Sequence, residues 1–488
     1  MTKSGMAACV ATAMGVGLFF GAARAEDMTA VGPQVGAAQL IAAHGGPTEP
    51  VLRIDYDTMS DAEPGRQVVD IAPDFVSIKK TGSKEAGVVL YDFRLKRVIS
   101  LDETRHTFSN DSAYMMVDFR YIESFNRKML RGVLGRLGVS KQLPQAQNPY
   151  WDQQSLSFLA PNDDQAIVEP KPTPRGGMEY VVDGTVAARF EPSAEALSAE
   201  EQKGLARFLW NSSNLHPIVI AAILAGGKIP AEIEARNVMG TKQTVTIWKL
   251  RSVARVTADC PLTANYQSDL PQKNLAEPLR TLLPTMLQAV TGRYATAPRS
   301  IEGYRAALAD ALAKNATFQY YVLDNEFALQ YGMGVMGCLS HRPEATDCAG
   351  IQNVIQKYRA DDRTLAMINT FGLEHNGDIK AALLQRKAIS RDGLSDPYMI
   401  DLWLGDAMTE SGDTGGALSL IPNAIKGNPY VGGFYKDLGD AFERSFLPVE
   451  TWLCYDLARA LPAGDKAPVV DSIVKKEQFL ETNYPQFF

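Results

Sequence analysis

Apolar and polar residues alternate along Val51-Leu52-Arg53-Ile54-Asp55-Tyr56, the period of a strand that buries one face. Similar short runs occur at Gln67–Ile71, Phe75–Thr81, Gly87–Phe93, Arg97–Leu101 and Thr104–Ser109, with turn residues such as Gly82-Ser83 between them. Strands this close along a chain pair through hairpins, so the pattern predicts an antiparallel sheet. Its apolar face needs a cover, and Tyr121 to Leu137 is the expected one. Tyr121, Ile122, Phe125, Met129, Val133, Leu134 and Leu137 recur there at helical spacing, with Glu123 and Arg127 as an i,i+4 pair on the other side. These elements define a β-domain over 48–140, preceded by a flexible lead-in over 26–47.

A second mixed segment covers 150–260. In MEYVVDGTVAARF two strand-like runs are joined by Asp183-Gly184, a strong hairpin signal. Ser198 and Glu201 make a capping box for a helix whose inner face is Leu205, Phe208 and Leu209. His216-Pro217 opens a short buried helix, with His216 as its cap, and QTVTIWKL returns as a strand. The segment is either a second sheet-and-helix unit or an extension of the first.

From about 270 to 488 the strand patterns give way to amphipathic helices such as YRAALADAL and YYVLDNEFALQYG. Here Leu404-Gly405-Asp406-Ala407 recurs 34 residues later as Leu438-Gly439-Asp440-Ala441. Ala417, Ile421, Ala424 and Pro429 follow the first copy, and Phe442, Tyr455 and Ala458 the second, although Thr451 stands where a small residue is expected. Gly377-Asp378 with Ala382-Leu383 echoes Gly412-Asp413 with Ala417-Leu418. The region from about 362 to 462 resembles the tetratricopeptide repeat, a helix-turn-helix unit of this period. The resemblance implies a curved array in which first helices line a groove, with Asp406, Lys436 and Asp440 as candidates for its wall.

In the front half, VVLYDFRLKRVISLDETRHTFSN resembles, through YDF, RVISLD and HTF, the LolA and RseB kind of bacterial envelope domain. That resemblance implies a curved antiparallel sheet with helices on its concave side, enclosing lipid chains or engaging a partner protein. The fold class expected for the whole chain is α+β: an N-terminal antiparallel sheet with covering helices, followed by an all-α tetratricopeptide-like array.

The first 25 residues alter the charge and the redox context. Lys3, an apolar run from Met6 to Ala22 and then Ala23-Arg24-Ala25 have the layout of a secretory signal peptide, so the mature chain is expected to begin at Glu26, in the periplasm or outside the cell. Cys9 precedes most of the apolar run, which argues against a lipoprotein site. Loss of Lys3 and Arg24 takes the formal charge from −7 to −9, which disfavours nucleic acid or an anionic membrane as partner. No later run is long and apolar enough for a transmembrane segment. Four of the five cysteines remain in the mature chain. In an exported protein they suggest disulfides in one of three connectivities, with Cys338–Cys348 the preferred bridge, which leaves Cys260 with Cys454, and four buried thiols as the alternative.

Little catalytic chemistry emerges. Gly412-Asp413-Thr414-Gly415-Gly416 differs by one residue from the nucleophile segment of chymotrypsin-like proteases, but it falls between two helices of a repeat unit, where Gly and Asp serve a turn and a helix start. His44-Gly45-Gly46 has no Gly-x-Ser-x-Gly to accompany it. His44, His106, His216, His341 and His375 have no metal-ligand spacing, and no phosphate-cradling loop is present, so neither metal nor cofactor is expected. The expectation is an exported, non-enzymatic protein that binds a protein or peptide partner through a helical groove. A carrier of lipid or another hydrophobic ligand on the front sheet, and a hydrolase with an unrecognised site, are the alternatives.

Overall fold

The computed structural model describes residues 32, 35–44, 48–61, 63–82, 87–138, 148–160, 162–239, 242–270, 274–335, 351–462 and 468–488. The expected leader and the Cys338–Cys348 bridge lie outside the described residues. The chain is α+β, with an antiparallel sheet and its helices followed by an all-helical region. It divides into two compact units, one holding Val35–Leu270 with Gln478–Phe488, the other containing Pro271–Glu477.

In the first unit the strands are β1 Thr48–Ser60, β2 Glu63–Ile71, β3 Phe75–Thr81, β4 Gly87–Asp92, β5 Arg97–Asp102, β6 Thr107–Ser112, β7 Glu169–Pro172, β8 Met178–Val182, β9 Thr185–Ala196, β10 Lys228–Met239, β11 Lys242–Asp259 and β12 Gln267–Ser268. They form one sheet in the order β12-β6-β5-β4-β3-β2-β1-β11-β10-β9-β8-β7, antiparallel except between β12 and β6. The long strands β1 and β11 pair from Thr48↔Asp259 to Ser60↔Thr246, with a register shift at Asp55/Tyr56. Residues 150–260 therefore extend the first sheet and do not build a second. The Asp183-Gly184 turn joins β8 to β9 with both residues at positive φ, 49° and 76°, as a type I′ hairpin requires. β6 starts at Thr107, three residues later than its pattern suggests. The Asp102 carboxylate accepts the backbone N–H groups of Thr104 and Arg105 at 3.0 and 2.9 Å, which holds that stretch as a turn. The outer strand β7 reads Glu-Pro-Lys-Pro, and its prolines and charges suit an edge that must not recruit further strands.

The cover is not the expected one. Helices α1 Ala37–His44, α2 Ala113–Arg136, α3 Tyr150–Leu156, α4 Ala199–Ser212 and α5 Pro217–Ala225 accompany the sheet. Leu205, Phe208 and Leu209 of α4 with Val219, Ile220 and Ile223 of α5 join Ile54, Val69, Val76, Phe190 and Ile233 of the strands in one core. Each such side chain contributes about 1.5–3 kcal/mol when fully buried. By contrast, α2 buries Tyr114, Val117, Arg120 and Ser124 and leaves its predicted inner stripe outside, with Phe125 48%, Met129 70%, Val133 40% and Leu137 68% exposed. Periodicity identified that helix and its Glu123–Arg127 ion pair (2.8 Å), but α4 and α5 already occupy the sheet face. Within the expected lead-in, residues 37–44 form α1, which buries Ala37 and Leu40.

The second unit contains α6 Glu277–Val290, α7 Ile301–Ala313, α8 Thr317–Tyr331, α9 Ile351–Ala360, α10 Asp362–His375, α11 Ile379–Lys387, α12 Tyr398–Ser411, α13 Thr414–Gly427, α14 Gly432–Arg444, α15 Pro448–Ala460 and the start of α16 Pro468–Asn483. α12 and α14 start 34 residues apart, as do α13 and α15. A methyl group on Gly405 would lie 2.5 Å from Ile421 Cγ1, and one on Gly439 would lie 2.6 Å from Tyr455 Cε1. These glycines let α13 and α15 close onto the first helix of each hairpin. Ala424 and Ala458 are fully buried.

The Gly412–Gly416 stretch is the turn expected of it. Gly412 ends α12 in the left-handed region (φ 83°), and the Asp413 carboxylate caps α13 by accepting the Gly416 N–H at 3.0 Å. Cys260 and Cys454 are buried thiols and not a bridged pair, and no disulfide occurs among the described residues. An even count says nothing about location, and these two cysteines belong to different units.

Candidate functional site: a recessed charged wall on the helical hairpins

Asp406 on α12 and Lys436 and Asp440 on α14, the three residues singled out by the repeat register, come together. Lys436 and Asp440, one helical turn apart, form an ion pair with Nζ 2.5 Å from Oδ2, and Asp437 Oδ1 lies 3.6 Å from the same ammonium. Tyr455, from the second helix of that hairpin, donates its hydroxyl to Asp440 Oδ1 at 2.6 Å. Lys476 Nζ meets Glu443 Oε1 at 2.5 Å, and Arg444 meets Glu410 at 2.8 Å. One hairpin earlier, Arg386 reaches Glu374 at 2.6 Å while also donating to Thr370 Oγ1 and the Trp403 carbonyl.

The electrostatics are those of partly buried charge. Burial, opposed by Lys436 and Arg386 and reinforced by Asp440 and Glu410, raises the Asp406 pKa. Burial also pushes Asp437 up, against the pull of Lys436 and with help from Asp406 and Asp440, to about 8. Around Lys436 burial works the other way, but Asp437 and Asp440 outweigh it and raise the ammonium's pKa. Yet Asp406, Lys436, Asp437 and Asp440 all keep part of their surface open to solvent. These side chains are strongly desolvated yet still reachable by solvent. The acids around them, Glu374, Asp406, Glu410, Asp437, Asp440 and Glu443, outnumber the bases Arg386, Lys436, Arg444 and Lys476. The other carboxylates are engaged by these bases, whereas Asp406 has no cation in hydrogen-bonding contact among the described residues.

The register identified α12 and α14 but missed Asp437 and the role of Tyr455, which looked like an apolar repeat position. Asp437 had a signal in its adjacency to Lys436. The Tyr455 hydroxyl had none, because only helix packing brings it to Asp440.

A second polar cluster in the same unit escaped sequence reading altogether. Glu326 on α8 is fully buried and accepts hydrogen bonds from Tyr304 Oη (2.8 Å), Tyr398 Oη (3.1 Å) and Asn428 Nδ2. Arg299 reaches Asp396 at 3.2 Å and Glu326 at 3.8 Å. Burial, then the neighbouring Asp396, raises the Glu326 pKa. The six residues are dispersed from 299 to 428, so no local pattern marks them. Because the Glu326 carboxylate is closed to solvent, this network ties α7, α8 and α12 together and does not offer a reactive surface.

His216 is a structural residue in the sheet unit. Its Nδ1 accepts the Ile218 N–H at 3.1 Å, its Nε2 lies 2.9 Å from Gln153 Oε1, and its ring stacks on Tyr150 at 4.2 Å. That pairing selects the Nε2–H tautomer, and burial lowers the pKa to about 3. Among the described residues no group of three His, Cys, Asp or Glu side chains is placed to hold a metal ion, and no helix is long and apolar enough to cross a membrane. The chain matches no known family, no curated protein and no solved structure.

Proposed function

We propose that this is an exported partner-binding protein whose helical hairpins hold a cationic peptide segment of another protein against the wall formed by α12 and α14. The observation that carries this reading is the convergence of Asp406, Asp437 and Asp440 around one lysine at a part-exposed surface, with no cation hydrogen-bonded to Asp406 among the described residues. A Lys or Arg side chain arriving there supplies the missing counter-charge, and its desolvation is already partly matched by the burial of these acids. The tetratricopeptide resemblance supports a groove at this position.

A positional-scanning peptide library tests the proposal. Binding should favour Lys or Arg at a fixed position, weaken with salt, and fall at least tenfold in Asp406→Asn with Asp440→Asn. A library bound without charge preference, or equally well by that double variant, overturns it.

A hydrophobic ligand or lipid surface is the second reading, favoured by the exposed stripe of Phe125, Met129, Leu130 and Val133 on α2 with Leu137 at its C-cap. Arg131 and Arg127 beside the stripe are already paired, with Asp152 and Glu123, so neutral apolar material suits that part of it better than an anionic surface. Co-flotation with phosphatidylcholine vesicles that is abolished by Met129→Glu would support this reading, and its absence in the wild-type chain would reject it.

A further inference from the structure

Tyr398 sets one hydroxyl between two buried carboxylates. Its Oη lies 3.1 Å from both oxygens of Glu326 and 3.1 Å from Asp396 Oδ1, and both acids are buried. A phenol has a single proton to donate. If both acids are ionised, the hydroxyl serves one and turns its lone pairs on the other, which is costly away from water. Tyr304 repeats the problem, with its Oη 2.8 Å from Glu326 Oε1 and 2.7 Å from Gln330 Oε1.

The nearby cation is unevenly divided. Arg299 Nη2 donates to Asp396 Oδ1 at 3.2 Å, whereas Nη1 is buried with no hydrogen-bond partner among the described residues and stops 3.8 Å from Glu326 Oε2. Asp396 also accepts from Ser395 Oγ and, at 3.3 Å, from Gln319 Nε2. Asp396 is therefore the acid equipped to carry charge, and Glu326 is the one suited to hold a proton.

We propose that Glu326, Tyr398, Asp396 and Arg299 form a proton-operated clasp in the helical unit. With a proton on Glu326, its carboxyl donates to Tyr398, Tyr398 donates to Asp396, and Arg299 belongs to Asp396. Loss of that proton to solvent turns the Tyr398 hydroxyl back to Glu326 and draws Arg299 Nη1 across to it. Arg299 directly precedes Ser300, which caps α7 by accepting the Gly303 N–H at 3.1 Å, and the Arg299 carbonyl accepts the Tyr331 hydroxyl at 2.9 Å. Its movement therefore loosens the start of α7 and releases the segment that precedes α12.

The groups that face Glu326 are Tyr304 from α7, Tyr398 and Asp396 at the start of α12, Arg299, and the neutral Asn428 after α13. Other helices meet α8 elsewhere: Tyr358 of α9 donates to Asp324, Arg363 of α10 lies over Phe318, and Gly433 of α14 packs on Leu329. Burial, then Asp396, raises the Glu326 pKa. The closed form is therefore complete at low pH and is lost as pH rises through the folded value.

Infrared spectra of the full chain, with glutamate or aspartate carboxyl groups isotope-labelled, test the clasp alongside hydrogen exchange of the Gly303 and Tyr304 amides, which rest on Ser300. The expected result is one un-ionised carboxyl band at neutral pH that moves with glutamate labelling only. It should fade as pH is raised, while exchange at those two amides rises about tenfold beyond its intrinsic pH dependence. Glu326→Gln, which keeps a donor in place of the proton, should lack the band and hold its slow exchange across the same range. A band that follows aspartate labelling, the absence of any band at neutral pH, or exchange in Glu326→Gln that rises as in wild type overturns the proposal. The labelling arm needs no variant, so it decides the matter even where Glu326→Gln fails to fold.

Discussion

Replacing Gly405 by Ala tests whether the two hairpins close by the same contact. The added methyl would lie 2.5 Å from Ile421 Cγ1, 3.3 Å from its Cδ1 and 3.4 Å from its backbone nitrogen. Carbon atoms pack favourably at about 3.5–4.0 Å, so the helices must part by about 1 Å or Ile421 must leave its rotamer, which a β-branched side chain does reluctantly. Such overpacking costs about 1–3 kcal/mol. Alanine meanwhile gains about 0.8–1.0 kcal/mol over glycine from helix propensity, which would mask part of the effect. Gly372 on α10 supplies the correction, because nothing lies within 4 Å of a methyl there. Gly372→Ala should therefore show the propensity gain alone. Native-state hydrogen exchange of the α12–α13 amides should show protection about 5- to 150-fold lower in Gly405→Ala, once the gain measured in Gly372→Ala is subtracted. Gly439→Ala, facing Tyr455 at 2.6 Å and the Thr451 carbonyl at 3.2 Å, should do the same to α14–α15. If Gly405→Ala proves as stable as Gly372→Ala, the hairpins do not depend on this close approach and the repeat equivalence is wrong.

Thr414→Ala should change stability by less than about 1 kcal/mol and leave every binding activity intact, whereas Asp413→Ala, which deletes the α13 cap, should cost about 0.5–2 kcal/mol in a denaturant titration. Asp437 binds its proton more tightly folded than unfolded, so its contribution to stability is complete below about pH 4 and is lost as pH rises through about 8. Asp437→Asn should flatten that decline in unfolding midpoints measured from pH 4 to 9, and an unchanged slope would refute the shift. His216 has the opposite sign, because its lowered pKa makes its contribution complete above about pH 6.5 and lost as pH falls toward about 3. His216→Gln should remove that acid-side loss, and the same acid-side slope in the variant would refute the argument.

The sequence by itself determined the elements and their local closures. Period-two alternation located the strands from 51 to 101 because each strand alone decides which of its residues can face a core. The Asp183-Gly184 turn, the Ser198–Glu201 box and the His216 and Asp413 caps were legible because their partners lie within a few residues. The 34-residue register carried Asp406, Lys436 and Asp440 to one wall because equivalent positions on equivalent hairpins face alike. Tertiary structure decided what depends on distant partners. It made one sheet of two segments through the pairing of β1 with β11 across nearly two hundred residues, and it chose α4 and α5 over α2 as the cover. An apolar stripe states that a helix has something to bury or to offer, and α2 shows that the stripe does not say which. Glu326 with Tyr304, Tyr398 and Asn428, and the aromatic segment 484–488 under Arg120 and Arg207, are likewise contacts between residues far apart in the chain. No periodicity encodes them, because hydrogen bonds and ring contacts at such separations are specified by the packed fold and not by the spacing of residues along the chain.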